Sequence, residues 1–201
     1  MIRSREDYRR YLEADRISLG VANTLRTRLF DDIWKYQRLM RKLAFLTNCG
    51  GNRLLRRWVA HRYESMGKRL GFTIGANVFG PGLSIAHRGT IVVHNNSRIG
   101  ANCRLHICVN IGAQLGDGET AVPYIGDNCY IGPGAKLFGD IRIGDNVAIG
   151  ANAVVNKSFP EGNATLGGVP ARILSNKSTV GRIPKGCAEP GAMAASNLSL
   201  G

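Results

Sequence analysis

Aliphatic residues recur at every sixth position through the second half of the chain. They stand at Ile125, Ile131, Leu137, Ile143, Ile149 and Val155, and the same spacing occurs upstream at Ile85 and Ile91 and at Ile99, Leu105 and Ile111. This period fits neither an amphipathic helix nor an alternating strand. Short repeats of this kind are typical of a parallel β-helix, in which each hexapeptide forms one side of a coil and stacks on its neighbours.

The other residues of each repeat support this interpretation. Glycine commonly follows the aliphatic residue, and asparagine follows two places later, at Asn77, Asn102, Asn128, Asn146 and Asn152. Both residue types adopt positive φ at low cost, so we expect them at the corners of the coils. A second, often small residue stands four places after the aliphatic one and is expected to fill the interior, at Cys103, Val109, Cys129, Ala135, Ile141, Val147 and Ala153.

The first third of the chain has helical patterns. Ser4 and Asp7 predict a helix start, and Gly20 predicts its end. A second helix is expected from Asp31 or Asp32 to about Asn48. A third is expected to start near Asn52 and to end at Gly67 or Gly71. Its predicted buried face consists of Leu54, Leu55, Trp58, Val59 and Met66, and its other face carries Arg53, Arg56, Arg57 and Arg62.

Charge is concentrated in the same third. The chain has 27 Lys and Arg against 14 Asp and Glu, and residues 1–72 alone hold 17 against 7. The arginines form either a solvated face or a surface attracted to an anionic partner, such as the inner leaflet of a membrane or an acidic glycan. Nucleic acid is disfavoured as a partner, because the basic residues are not interleaved with exposed aromatic residues and no nucleic-acid-binding module is recognisable.

These patterns divide the chain into three parts. We predict a basic α-helical segment over 1–70, a β-helix domain over 71–174, and a flexible tail over 175–201, which is rich in Gly, Ala, Ser and Pro and has no period. The charged N-terminus and the lack of a membrane-spanning stretch predict a cytoplasmic protein, either free or at the inner face of the membrane. Five cysteines without a Cys-x-x-Cys motif fit reduced thiols.

The repeat, the loop that interrupts it at 114–124 and the ending Gly167–Arg172 resemble the hexapeptide-repeat acyltransferases, and most of all those of the serine acetyltransferase type. The resemblance covers roughly 71–174. Its most specific part is the segment His87–Val93, which is similar to the active-site histidine segment of the family. The resemblance implies a mainly β fold with a left-handed parallel β-helix, acetyl-CoA as co-substrate without a metal, and a homotrimer whose trimers can pair into hexamers.

The same resemblance assigns roles to particular residues. His87 becomes the general base for an acceptor hydroxyl, and the backbone amide of Gly112 or Ala113 becomes a donor to the oxyanion. Position alone, and not the resemblance, suggests three further residues: His106, after Leu105, for acceptor binding or proton relay, and Asp117 and Glu119 of the loop for orienting His87 or contacting the acceptor. The implied acetyl-CoA groove, between adjacent subunits, uses Pro133, Gly134, Ala135, Gly150 and Ala151, with Lys157 and Arg172 available to the phosphates.

The chain also departs from the serine enzymes. The stretch Gly71–Ile74 has no carboxylate, Ala86 precedes the histidine where the family has an aspartate, and Ala121 and Val122 replace an Arg-His pair before Pro123. These losses favour a sugar hydroxyl, as in polysaccharide biosynthesis, over L-serine as the acceptor.

Three alternatives stay open. L-serine O-acetyltransfer in cysteine biosynthesis is the nearest. A non-catalytic scaffold that presents the basic helices is the second. A zinc hydratase of the γ-carbonic anhydrase type is the third, but it needs two histidines five residues apart. The spacings here, 7 from His87 to His94 and 12 from there to His106, lack that pair.

Overall fold

The computed structural model describes residues 1–116 and 120–187. Four helices come first in the chain: α1 (Arg5–Leu19), α2 (Leu25–Phe30), α3 (Asp32–Asn48) and α4 (Arg53–Leu70). The predicted boundaries of α1, α3 and α4 are confirmed, because the side chains of Ser4, Asp31 and Asn52 cap their N-termini and Gly20 and Gly71 end α1 and α4 at positive φ. The short helix α2, capped by Thr24, was not predicted.

In the described part of the chain, fourteen short strands follow and form three sheets, which are the faces of a parallel β-helix. The first face joins β1 (Phe72–Ile74), β3 (Ile91–Val93), β6 (Asn110–Gly112), β9 (Lys136–Phe138) and β12 (Val154–Val155). The second joins β4 (Arg98–Ile99), β7 (Tyr124–Ile125) and β10 (Arg142–Ile143). The third joins β2 (Ser84–Ile85), β5 (Arg104–Leu105), β8 (Tyr130–Ile131), β11 (Ala148–Ile149), β13 (Thr165–Gly167) and β14 (Arg172–Ser175). Each coil visits the third, first and second faces in turn, and only β13 and β14 pair antiparallel.

The six-residue period sets the register of the coils. Ile85, Leu105, Ile131 and Ile149 are direct partners on successive coils of the third face, and each is fully buried. The small residues predicted to fill the interior are also buried, including Cys103 and Cys129 as free thiols. Both predictions from the repeat are therefore confirmed, and one continuous apolar column runs through the domain.

Asparagine side chains form a ladder along one corner of the coil. Asn102, Asn128, Asn146 and Asn163 have φ between 49° and 58°, and each of the first three donates its amide nitrogen to the side-chain oxygen of the next over 3.0 to 3.1 Å. The predicted positive φ is thus confirmed for the first three, and also for Asn152 at another corner. Asn77 is the exception: it lacks positive φ and instead exchanges hydrogen bonds with Asn48 of α3.

The helices cover the open end of the first coil. The amide of Gln37 donates to the Leu83 carbonyl over 2.8 Å, and the Asp15 carboxylate accepts from the backbone N–H groups of Gly82 and Leu83. Arg41 donates in the same way to the carbonyls of residues 79 and 80. These bonds satisfy backbone groups that a terminal coil would otherwise leave unpaired in a buried position.

The predicted buried face of α4 is partly wrong. Val59 is buried, but Leu54, Leu55 and Trp58 are exposed by 77%, 40% and 56%. The buried positions toward the C-terminal half of the helix include Tyr63 and Leu70, which pack against the first coil. The exposed apolar residues stand toward the N-terminal end of the helix, where Arg62 lies over the Trp58 ring at 5.6 Å.

Residues 176–187, expected to form part of a flexible tail, lie against the β-helix. Thr179 is buried and donates its hydroxyl to the Asn128 carbonyl, and Asn102 exchanges two hydrogen bonds with the backbone of Cys187. Residues 188–201 lie outside the described part of the chain. None of the helices described here is both long and apolar enough to cross a membrane.

Candidate active site

Two histidines lie on neighbouring coils of the third face. His87 follows β2 and is exposed, and His106 follows β5 and is half-buried. Their ring centroids are 5.7 Å apart, and the ring of Tyr130, one coil further on, lies 4.9 Å from that of His106. The coil spacing thus sets three rings side by side, tilted by 58° and 55° to one another, and it brings together the two histidines that the sequence singled out for proton transfer and for the acceptor.

The environment of His106 disfavours its charged form. Burial, followed by the nearby positive charge of Arg104 and the neighbouring imidazole of His87, lowers the pKa of His106. Its Nε2 atom is buried and has no hydrogen-bond partner in residues 1–116 and 120–187. A neutral imidazole nitrogen can donate or accept one hydrogen bond, so this buried atom keeps a hydrogen-bonding capacity that the described residues do not use.

A small cavity lies between the helical segment and the third face. It has a volume of about 140 Å³ and is lined by Asp31 of the α3 cap together with Ser84, Ala86 and Arg104 of the third face. Arg104 donates to the Ser84 hydroxyl over 3.0 Å, which orients its guanidinium. The cavity therefore offers a carboxylate and a guanidinium next to Ala86, the residue that directly precedes His87.

The N-terminal end of α3 also contacts the histidine segment itself. Arg88 lies 3.8 Å from the carboxylate of Asp32, which pairs in addition with Lys35 and Arg69. Hydrogen bonding to Lys35, with the charges of Arg69 and Arg88, lowers the pKa of Asp32. This ionised carboxylate pairs with three cations. It therefore positions Arg88 and is not available as a proton acceptor for His87.

The predicted cofactor residues lie along the same corner of the coil as His87. On the coil that follows the His87 segment, the Ile107 carbonyl accepts a hydrogen bond from Gly134 N–H over 2.9 Å. One coil further on, the Pro133 carbonyl accepts one from Asn152 N–H. Pro133, Gly134, Gly150 and Ala151 therefore occupy this corner on the next coils, where absent or small side chains leave the backbone accessible. A line of such positions running away from His87 suits an extended ligand.

Three other predicted cofactor residues lie elsewhere. Ala135 is fully buried, and its N–H and carbonyl are already bonded to residues 132 and 110, so it offers nothing to a ligand. Lys157 lies beyond β12 with its ammonium 5.5 Å from the centre of the Phe159 ring, and Arg172 is exposed on β14. Both cations remain accessible at the far end of the domain.

The two oxyanion candidates do not meet His87 within one chain. Gly112 ends β6 and Ala113 follows it, whereas His87 precedes β3. Since β3 and β6 are neighbours on the first face, the histidine and the two amides stand at opposite ends of that face. Asp117 and Glu119, the predicted loop carboxylates, lie outside the described residues. No group of three or more His, Cys, Asp or Glu residues suited to a metal occurs in the described ranges.

Comparison with known proteins points to one family. The model of the bacterial transferase hexapeptide (six repeats) matches residues 123–157. The serine acetyltransferase of Mycobacterium tuberculosis is 36% identical over 104 residues, which are 52% of this chain and 43% of that protein. This chain is similar to the serine acetyltransferases. The resemblance inferred from the sequence is thereby confirmed, although the match spans only about half the length of the curated relatives.

Solved structures extend the similarity to the helices. The apoenzyme of soybean serine acetyltransferase superposes with a TM-score of 0.69 at 26% identity, over 84% of this chain and 69% of that one. A serine acetyltransferase in complex with CoA superposes with a TM-score of 0.65 at 25% identity, over 84% and 68% of the two chains. The superposed share of this chain exceeds the length of the β-helix domain alone, so the similarity includes part of the helical segment.

The sequence interpretation missed four residues of the site. Ser84, Arg104 and Tyr130 each stand directly before an aliphatic residue of the repeat, on equivalent positions of the third face. Their shared place in the six-residue period was a usable signal, since it puts them side by side. Asp31 carried no such signal, because only the packing of α3 on the first coil brings it there.

Proposed function

We propose that this protein is an acetyl-CoA-dependent O-acetyltransferase on a left-handed β-helix, with His87 as its general base. The observation that carries the proposal is the shared corner, on which His87 and the small residues at 133, 134, 150 and 151 follow one another. The names of the similar proteins, serine acetyltransferase and its CoA complex, support the same activity and co-substrate.

The proposed reaction needs one base and no covalent enzyme intermediate. His87 takes the proton of the acceptor hydroxyl while the oxygen attacks the thioester carbonyl of acetyl-CoA. The tetrahedral intermediate collapses with cleavage of the carbon–sulfur bond, and the His87 imidazolium returns the proton to the departing thiolate. The products are an O-acetyl ester and CoA. Direct transfer requires both substrates to be bound together next to His87.

We propose L-serine as the acceptor, which corrects the expectation of a sugar. The preference for a sugar came from the absence of the groups that would hold the ammonium and carboxylate of serine. The similar proteins, however, are named serine acetyltransferases. The cavity beside Ala86 offers replacements from other elements: Asp31 for the ammonium and Arg104 for the carboxylate. Its volume of about 140 Å³ suits a small amino acid.

A homotrimer follows as part of the proposal. The oxyanion donors at 112 and 113 stand at the far end of the first face from His87 in the same chain. A neighbouring copy that places its first-face corner against the His87 corner would complete the site. A cyclic assembly repeats this contact at every interface. Each subunit would then supply His87 to one site and the amides at 112 and 113 to the neighbouring site.

The test is a measurement of CoA release from acetyl-CoA by a thiol reagent, with L-serine, L-alanine or a panel of sugars as the acceptor. We expect turnover with L-serine and background with L-alanine, which lacks the hydroxyl. Turnover with a sugar alone would overturn the assignment of serine but keep the transferase. Calorimetry that detects no binding of CoA at millimolar concentration would leave a non-catalytic scaffold instead.

A further inference from the structure

A broad groove lies between α4 and the helices α2 and α3. Its volume is about 720 Å³, and basic side chains from three helices line it: Arg28, Lys35, Arg38, Lys42, Arg62 and Arg69. No acidic residue is among its lining residues. We call this surface the basic groove.

Most of these charges are not neutralised by the protein. Lys35 and Arg69 pair with Asp32 over 3.1 Å. For Arg28, Arg38, Lys42 and Arg62, no carboxylate lies within 4.0 Å in the part of the chain that the structure describes. Lys42 and Arg62 instead lie over aromatic rings, Lys42 at 5.5 Å from Tyr8 and Arg62 at 5.6 Å from Trp58. Four positive charges concentrated on one concave surface attract an anionic partner.

Exposed apolar side chains surround the basic groove on both sides. Phe30 is 73% exposed at the end of α2, and Leu54 and Trp58 are 77% and 56% exposed on α4. Leu25 and Leu29 of α2 are exposed as well. Basic residues combined with exposed Trp, Phe and Leu are the composition of surfaces that lie in a membrane interface, where the rings and aliphatic chains enter the acyl boundary and the cations face the headgroups.

We propose that the basic groove and its apolar rims dock on an anionic phospholipid membrane surface. A second copy of the chain is a poorer occupant, since a two-fold contact sets each patch against itself and would place its uncompensated arginines together. An acidic protein would account for the charges but not for the apolar side chains exposed on both rims. This inference does not depend on the acetyltransferase activity, and its test requires no substrate.

The experiment is sedimentation of the full chain with vesicles of phosphatidylcholine, with or without phosphatidylglycerol, at 10 mM and 500 mM salt. We expect binding only to the anionic vesicles and only at low salt, where charges are least screened. Replacing Arg28, Arg38 and Arg62 with Gln should weaken binding about 100-fold, since each basic residue near an anionic surface contributes about fivefold. The matched control replaces Arg142, Lys177 and Arg182, exposed on the other domain, with Gln and should bind like the wild type.

A second variant and a spectroscopic readout test the apolar part. Phe30→Ser combined with Leu54→Ser removes exposed side chains only, so the fold should persist while binding falls several-fold. The chain has two tryptophans, and Trp34 is buried, so a blue shift of emission with anionic vesicles would report Trp58. Trp58→Phe should abolish that shift.

Three outcomes would overturn the proposal. The first is a wild-type protein that ignores anionic vesicles at 10 mM salt. The second is an equal loss of binding in the control triple variant, which would indicate general attraction of a basic protein. The third is a fall in the oligomer mass of the Arg28, Arg38 and Arg62 variant, which would assign the groove to contacts between copies.

Discussion

The imidazole rings of His87 and His106 lie 5.7 Å apart on successive coils, and only His87 is exposed. Two imidazolium ions at this distance repel each other. Burial and the charge of Arg104 also lower the pKa of His106, so this ring is the one that disfavours the proton. A neutral His106 beside the proposed base avoids repelling the imidazolium that His87 becomes during transfer.

The protonation of His106 can be followed directly by NMR titration of its ring protons. We expect a pKa below the ordinary value of about 6.5. Arg104→Gln should raise it, because one of the charges that disfavour the imidazolium is removed. An unchanged pKa in Arg104→Gln would show that Arg104 does not contribute to the shift, and a value above 6.5 in the wild type would contradict the packing of this ring.

The same shift predicts a direction for stability against pH. Because folding lowers the pKa of His106, this residue binds fewer protons in the folded than in the unfolded chain. Its contribution to the free energy of unfolding is therefore complete above about pH 6.5 and is lost as the pH falls toward the pKa of the folded state. Urea unfolding should therefore show that the free energy of unfolding falls more between pH 7.5 and pH 5 in the wild type than in His106→Gln. Equal losses would mean that other groups cause the whole acid response.

His87→Ala should lower kcat by about 10²- to 10⁴-fold while leaving CoA affinity nearly unchanged, the range expected when a general base is removed. The residues at 133, 134, 150 and 151, which we propose bind CoA, make their backbone hydrogen bonds without this imidazole. Steady-state kinetics and calorimetry with CoA measure the two effects separately. Weakened CoA binding with unchanged kcat would make His87 a binding residue.

The proposed serine cavity predicts effects on KM. Asp31→Asn and Arg104→Gln should each lower kcat/KM for L-serine by about 10- to 100-fold, since each removes one charge-assisted hydrogen bond worth about 1.5–3 kcal/mol. The KM for acetyl-CoA should stay unchanged. Asn is chosen because it still caps α3, and Arg142→Gln, on the second face, is the control. Loss of stability without a change in KM would exclude a role for Asp31 in acceptor binding.

The repeat domain could be predicted almost entirely from local patterns. One six-residue unit dictates which residue enters the interior and where the chain turns, so Leu105, Cys129 and Asn146 were placed correctly from spacing alone. Contacts between the helices and the coils follow no such rule. Residues such as Trp58 have helical spacing on an apolar face, but periodicity does not say whether a neighbouring element covers that face, and here Trp58 stays 56% exposed.

The least predictable contact is the ion pair of Asp15 with Arg41, 26 positions apart in sequence and almost completely buried. Arg41 donates two hydrogen bonds to the carboxylate, at 2.8 and 3.0 Å. Asp15→Asn should reduce the free energy of unfolding by about 3–5 kcal/mol, because it leaves the guanidinium buried without its counter-charge.

The control for that change is Glu13→Gln. Glu13 pairs with Arg16 one helical turn away at the surface of α1, and a pair of this kind contributes less than about 1 kcal/mol. Urea unfolding of both variants gives the comparison. In Asp15→Asn combined with Arg41→Met the unpaired charge is gone, so part of the lost stability should return. The alternative outcome is that the double variant loses as much free energy of unfolding as the two single variants together. The two residues would then stabilise the contact between the helices and the first coil through their separate hydrogen bonds to the backbone, and not through their mutual charge.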